Sequence, residues 1–167
     1  LRTYLARLIQ SEDTLKQDYS TIKNKFLSYK KVKSRVSKKC ESFNFGRVNL
    51  AKLDVRGKKI LLYLALDPKE FEDKAKFYNF IDVTDKKKET PMLMKINGPI
   101  KLKRAIELIE ILMEKNGVSL LKDYAEQNYY MPYESTDKLV RRGLIKDLWN
   151  ETPLEEPIEE IEEKEKF

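Results

Sequence analysis

The sequence predicts an α+β domain. It reads as a mostly antiparallel sheet of about five strands, with two main helices on one face and a small C-terminal appendage. Three observations carry this. Apolar residues recur at spacings of three and four in two separated stretches, near 12–29 and 99–115, and at period two between them. Turn residues cut that middle region into short runs at Asn44-Phe45-Gly46-Arg47 and Arg56-Gly57-Lys58-Lys59. The strand-rich middle also lacks a long crossover, which argues against a doubly wound sheet.

The elements follow in order. Residues 1–11 read as a linker or helix, since positions 1, 4, 5, 8 and 9 are apolar. Ser11-Glu12-Asp13-Thr14 offers a cap and acids for a first turn, so a helix is expected from Glu12 to Tyr29. Its stripe of Leu15, Tyr19, Ile22 and Phe26 is a core face. Val32 to Phe43 reads as one strand, followed by Val48 to Val55. Arg56 to Lys59 is a hairpin turn. Ile60 to Leu66 is apolar at both parities, the mark of a central strand covered on both sides. Residues 67–76 read as a charged loop with a helical turn, Tyr78 to Val83 as a fourth strand and Pro91 to Ile96 as a fifth. Asn97-Gly98-Pro99 opens the clearest amphipathic helix, closed by Asn116-Gly117. The expected α+β domain is therefore 12–117.

Residues 118–150 read as a helical connector or appendage. It comprises a short helix over Ser119 to Gln127, an aromatic linker at Tyr129 to Tyr133, a capped helix from Thr136 to Arg142, and an edge strand at Leu144 to Trp149. Residues 151–167 hold eight Glu and two Lys, and read as a disordered acidic tail. That tail carries −6 of a chain whose formal net charge is +6, so the first 150 residues carry +12. A body this basic points to a polyanionic partner, to a tail that shields it, or to a lysine-rich surface that serves only solubility.

Composition excludes several chemistries. The chain has no His, which removes the commonest general base at neutral pH and the commonest metal ligand. Its single cysteine, Cys40, has no intrachain partner and reads as a small buried hydrophobe in a strand. The acids Asp67, Glu70, Glu72 and Asp73 alternate with Lys and Pro in a loop and read as solvated. Asp54, Asp67 and Asp82 fall near strand ends, but no Glu-x-Lys partner completes a nuclease-type core. No catalytic, metal or cofactor-binding residue is expected, and the chain is expected not to be an enzyme. With no apolar run near ~18 residues, a membrane span is not expected either. A cytoplasmic location is the expectation. The chain opens on Leu1 rather than Met, which reads as a segment of a longer protein.

One segment carries the functional expectation. Tyr19 to Cys40 contains eight Lys or Arg and no acid, and Phe43, Phe45, Arg47 and Lys52 follow. On one long strand, Lys33, Arg35, Ser37, Lys39 and Glu41 would share a face. Cations beside aromatics on a sheet face can hold phosphates and stack bases. The expected nucleic-acid contacts are Arg35, Lys38, Lys39, Phe43, Phe45, Arg47 and Lys52. The alternatives are a protein-interaction or scaffold module, and an unrecognised enzyme that would need a polar pocket.

Several stretches carry a resemblance. They are Ser28-Tyr29-Lys30-Lys31-Val32-Lys33-Ser34-Arg35-Val36-Ser37, Glu41-Ser42-Phe43-Asn44-Phe45-Gly46-Arg47, Leu50-Ala51-Lys52-Leu53, and Leu62-Tyr63-Leu64-Ala65-Leu66-Asp67-Pro68. Together they resemble an uncharacterised module of bacterial multidomain proteins. More distantly they are similar to the "predicted transport protein" domains appended to restriction-type endonucleases, through an aromatic-x-x-Gly-Arg turn and a following Leu-x-Leu strand. The resemblance covers residues 12–115, and the segment from Met131 to Lys146 resembles the connector after such domains. It implies one module of a larger bacterial protein and brings no active site with it.

Overall fold

The computed structural model describes residues 1–145. The remaining part of the expected edge strand and the acidic segment lie outside the described residues.

The chain opens with α1 (Tyr4–Ile9), capped by the Thr3 side chain, which accepts from the Ala6 amide at 3.2 Å. Helix α2 (Asp13–Leu27) follows, with Asp13 in its first turn. It buries Leu15, Tyr19, Ile22 and Phe26 as the 3.6-residue period requires. Six strands follow: β1 (Val32–Val36), β2 (Glu41–Phe45), β3 (Val48–Arg56), β4 (Lys59–Leu64), β5 (Ile81–Asp82) and β6 (Met92–Ile96). A 3-10 helix (Pro68–Lys74) and α3 (Ala75–Tyr78) lie between β4 and β5. Helices α4 (Pro99–Lys115) and α5 (Thr136–Arg141) close the described chain.

All strands pair antiparallel, in the order β1-β2-β3-β4-β6-β5. The α+β class and the two long helices on one face are as the sequence predicts. Four details differ. The expected strand from Val32 to Phe43 is two strands, because Ser37 folds the chain back. Its amide donates to the Cys40 carbonyl at 2.9 Å, and its hydroxyl accepts from the amides of Lys39 and Cys40. Cys40 is therefore a half-buried turn residue rather than a buried strand hydrophobe.

The second difference is strand order. The expected strand from Tyr78 to Val83 shrinks to Ile81–Asp82, and β6 slips between it and β4. Burial explains this. Met92, Leu93 and Met94 are all buried and need neighbours on both sides, whereas both β5 residues are exposed and suit an edge. Third, β4 is central but alternates. Ile60, Leu62 and Leu64 are buried, while Leu61 and Tyr63 are half-buried on the other face. Fourth, residues 119–127 form no helix. The segment from Val118 to Glu134 is an extended strap along α2, started by a bridge between Tyr29 and Leu120. The turn between β3 and β4 is as expected: Arg56 pairs with Lys59, and Gly57 supplies a φ of 60°.

The core lies between the sheet and helices α2 and α4. Phe43 stacks on Phe26 with ring centroids 4.3 Å apart and planes 9° from parallel. A second small cluster joins α1 to α5 through Ala6, Ile9, Leu139 and Ile145. There the Thr3 amide and hydroxyl both donate to the Leu144 carbonyl, so the first and last described segments are stitched together.

Candidate nucleic-acid interface

The register decides which side chains meet. On the helix side, Glu41 lies opposite Leu53 and Phe43 opposite Ala51. Their neighbours along each strand face the other way. Following the pairs across the sheet, Arg35 lies opposite Ser42, Ser42 opposite Lys52, Lys52 opposite Tyr63, and Tyr63 opposite Leu93. These five positions form one row on the face turned away from α2 and α4. Adjacent strands are ~4.8 Å apart, so Arg35 and Tyr63 are separated by about 14 Å. The row is graded, from cations on β1 and β3 to an aromatic on β4 and an apolar residue on β6.

Other side chains complete the face. Lys33 shares it with Arg35, two residues along β1, and Lys95 lies opposite Leu61. The Lys87 ammonium comes in from the loop between β5 and β6 and sits 5.2 Å from the Tyr63 ring centroid. Asp54 also faces this side, but it is held by Arg7 at 2.6 Å and Arg56 at 3.2 Å. Its charge is thereby answered locally. Burial, and then the nearby Asp54 charge, push the Tyr63 phenol above its ordinary value, so it is neutral at physiological pH. Burial likewise pushes up the Cys40 thiol, which disfavours the thiolate a nucleophile needs.

Of the residues expected from sequence, the fold brings Arg35 and Lys52 into the row. Lys38 and Lys39 sit in the turn before β2, and Arg47 in the turn after it. Eight residues separate Lys39 from Arg47, about 26 Å at 3.3 Å per residue, so they do not form one cluster. Phe43 is fully buried against Phe26 and cannot stack on a base. Phe45, at the end of β2, is half-buried against the core and lines a recess of about 480 Å³ with Lys31, Lys33, Asn44 and Gly46. The face shared by Lys33, Arg35, Ser37, Lys39 and Glu41 does not exist, because the turn at Ser37 reverses the chain. Glu41 points the opposite way and is fully buried.

The sequence reading missed Tyr63 and Lys87. Tyr63 was legible as the one polar-tipped residue inside Leu61-Leu62-Tyr63-Leu64, at a parity opposite to Leu62 and Leu64. Nothing in the sequence pairs Lys87 with it.

The buried Glu41 is the second constellation. Its Oε1 accepts from the hydroxyls of Tyr4 at 2.9 Å and Tyr19 at 2.7 Å. Lys23 Nζ lies 2.8 Å from Oε2, close enough for an ion pair though outside hydrogen-bond alignment. The same ammonium donates to the Tyr19 oxygen at 3.2 Å and faces the Tyr129 ring at 4.6 Å. Burial and the Glu41 charge both drive the two phenols above their ordinary range. With every member enclosed or nearly so, this knot ties α1, α2, β2 and the strap together.

Comparison with protein-family models, with curated proteins and with solved structures finds no match to this chain. Among the described residues, no group of three or more His, Cys, Asp or Glu side chains could hold a metal ion, and no helix is long and apolar enough to cross a membrane.

Proposed function

We propose that this chain is a non-enzymatic binding module that takes nucleic acid on the face of its sheet turned away from α2 and α4. The observation supporting this reading is the row in which Arg35, Ser42, Lys52 and Tyr63 lie across four adjacent strands, away from the helices. Two cations and a phenol in one line suit a phosphate backbone with a base beside it, whereas the Ser42 hydroxyl between them is buried. Lys33, Lys87 and Lys95 extend the same charge, and among the described residues Asp54 on that face is paired with Arg7 and Arg56.

Fluorescence anisotropy with mixed-sequence oligonucleotides at low salt tests the proposal. Binding should weaken steeply as salt rises, because each phosphate contact releases counterions. The Arg35→Glu, Lys52→Glu double variant should lose about tenfold or more in affinity while folding normally, since the net charge of the row reverses. Undetectable binding of the unmodified protein at low salt ends the proposal.

A further inference from the structure

Independently of that reading, we infer that the outer edge of β1 takes an acidic, extended peptide as a further strand of the sheet. Strand β1 ends the sheet and is five residues long, whereas β5 at the other edge has two. The ladder fixes where its backbone points. Residues paired in an antiparallel ladder alternate between exchanging both hydrogen bonds and exchanging none. The Ser37 amide donates to the Cys40 carbonyl at 2.9 Å, and the pairing then runs without a shift to Val32 and Phe45. Arg35 and Lys33 therefore bond to β2, while Val36, Ser34 and Val32 turn their amides and carbonyls outward. The Tyr29 carbonyl takes the Val32 amide at 3.4 Å. Among the described residues, no backbone group pairs with the outward groups of Ser34 and Val36. Both ends of the same edge are already in use. The Lys30 amide donates to the Ser119 carbonyl at 2.8 Å, beside the Tyr29–Leu120 bridge, and the Lys38 carbonyl accepts from the Tyr4 amide at 2.8 Å. Between them lies a gap from Lys31 to Ser37, about 23 Å at 3.3 Å per residue.

Charge selects the occupant. An unpaired edge invites a second copy of the chain, and lysines along it oppose one. A copy pairing antiparallel about Ser34 would set Lys33 against Arg35, with like charges directly opposite. No acid lies between Tyr19 and Cys40, and the next residue, Glu41, is buried beside Lys23. Lys31 and Lys33 are exposed. Lys33 points to the face away from α2, and Val32, Ser34 and Val36 to the other. A strand with acids at alternate positions meets Lys33 across the ladder, and its intervening side chains lie beside Ser34 and Val36. The recess of about 480 Å³ that Phe45 shares with Lys31, Lys33, Asn44 and Gly46 adjoins this edge and leaves room for a side chain of the added strand. In strand addition the main-chain bonds supply affinity and the side chains choose the partner.

The probe is a blocked peptide of alternating Glu and Val, long enough to fill the gap, with an alternating Lys and Val peptide as control. Anisotropy of the labelled peptides on the full chain gives affinity, and residue-resolved amide exchange reads the edge. The acidic peptide should bind tighter than the basic one by roughly two- to 30-fold, the swing between an opposite-charge and a like-charge cross-strand pair. It should slow exchange at the amides of Ser34 and Val36. Ser34→Pro removes an outward amide without touching a ladder bond, and should weaken peptide binding roughly two- to tenfold. Lys33→Glu, at an exposed position, should reverse the preference between the two peptides, which tests the inference even if Ser34→Pro fails to fold. No binding of the acidic peptide, or binding that leaves the Ser34 and Val36 amides exchanging as before, overturns the inference. So does an edge already slow to exchange in the free protein. Protection that grows with protein concentration assigns the edge to a second copy, and protection independent of concentration assigns it to the chain's own acidic residues beyond 145. Oligonucleotide binding, measured alongside, reports separately on the nucleic-acid reading.

Discussion

Two tyrosine–lysine pairs sit on opposite faces of the same sheet, in different surroundings. On the covered face, Lys23 lies against the Tyr19 and Tyr129 rings, and its charge is answered by Glu41 at 2.8 Å. On the other face, Lys87 lies over Tyr63 beside Lys52, and Asp54 is engaged by two arginines. The first pair is enclosed, so its interactions are strong and cannot be exchanged for a ligand. The second uses a half-buried ring rather than a buried one, so its contact is weaker. Side-chain type alone does not separate the two pairs; the ring does, since Tyr19 is buried and Tyr63 only half-buried.

The largest expected effect breaks the covered knot. Glu41→Ala removes the acceptor of two buried hydroxyls and the partner of Lys23, and should cost about 3–5 kcal/mol in denaturant unfolding. A loss below about 1 kcal/mol would mean that the knot holds nothing together. Next is the strap. The Asn24 amide donates to the Gln127 carbonyl at 2.8 Å, and its carbonyl oxygen accepts from the Gln127 amide at 2.9 Å and from the Tyr124 hydroxyl. Asn24→Ala should cost about 1–3 kcal/mol, with amide exchange rising first at residues 124–129.

A smaller effect appears in alkali. Tyr4 and Tyr19 keep their protons in the folded protein to higher pH than in the unfolded chain. Above about pH 10 the unfolded chain binds fewer protons than the native state, so stability falls as pH rises. Burial lowers the Lys16 ammonium and works in the opposite sense below about pH 10.5, next to that range, which makes the informative quantity a difference between proteins. Tyr19→Phe should show a shallower alkaline fall than the unmodified protein, and identical slopes would refute a buried phenol at that site. The smallest effect belongs to the other face. Lys87→Ala should change stability by no more than about 0.5 kcal/mol, because a half-buried loop cation over a half-buried ring contributes little to the fold. A large loss would show that Lys87 is structural and that the two faces do not differ as described.

Much of the fold was legible in the sequence. The stripe of Leu15, Tyr19, Ile22 and Phe26, the capped helix after Gly98, and the Gly57 hairpin are local patterns, each set by spacing within a few residues. The errors fell where local pattern met distant partners. Ser37 turns the chain through hydrogen bonds within the turn, yet Lys-rich flanks at period two concealed it. The 119–127 stretch has helical composition, but its backbone and side chains are drawn out along α2 by Asn24, about a hundred residues earlier in sequence. Of the candidate site, only the cations could be read directly. The aromatics chosen for it, Phe43 and Phe45, belong to the helix side.

By itself, then, the sequence determined the fold class, the positions of the two long helices, and the excess of positive charge before the acidic segment. Those properties depend on composition and short-range periodicity, which every chain segment carries with it. Which charges stand together was decided only by the tertiary structure. Antiparallel pairing sets Arg35, Ser42, Lys52 and Tyr63 side by side from four strands, and a shift of one residue in any pairing would send that strand's side chain to the opposite face. The same pairing turns Glu41 inward to two tyrosines from different helices, where burial converts a surface-type residue into the centre of the knot.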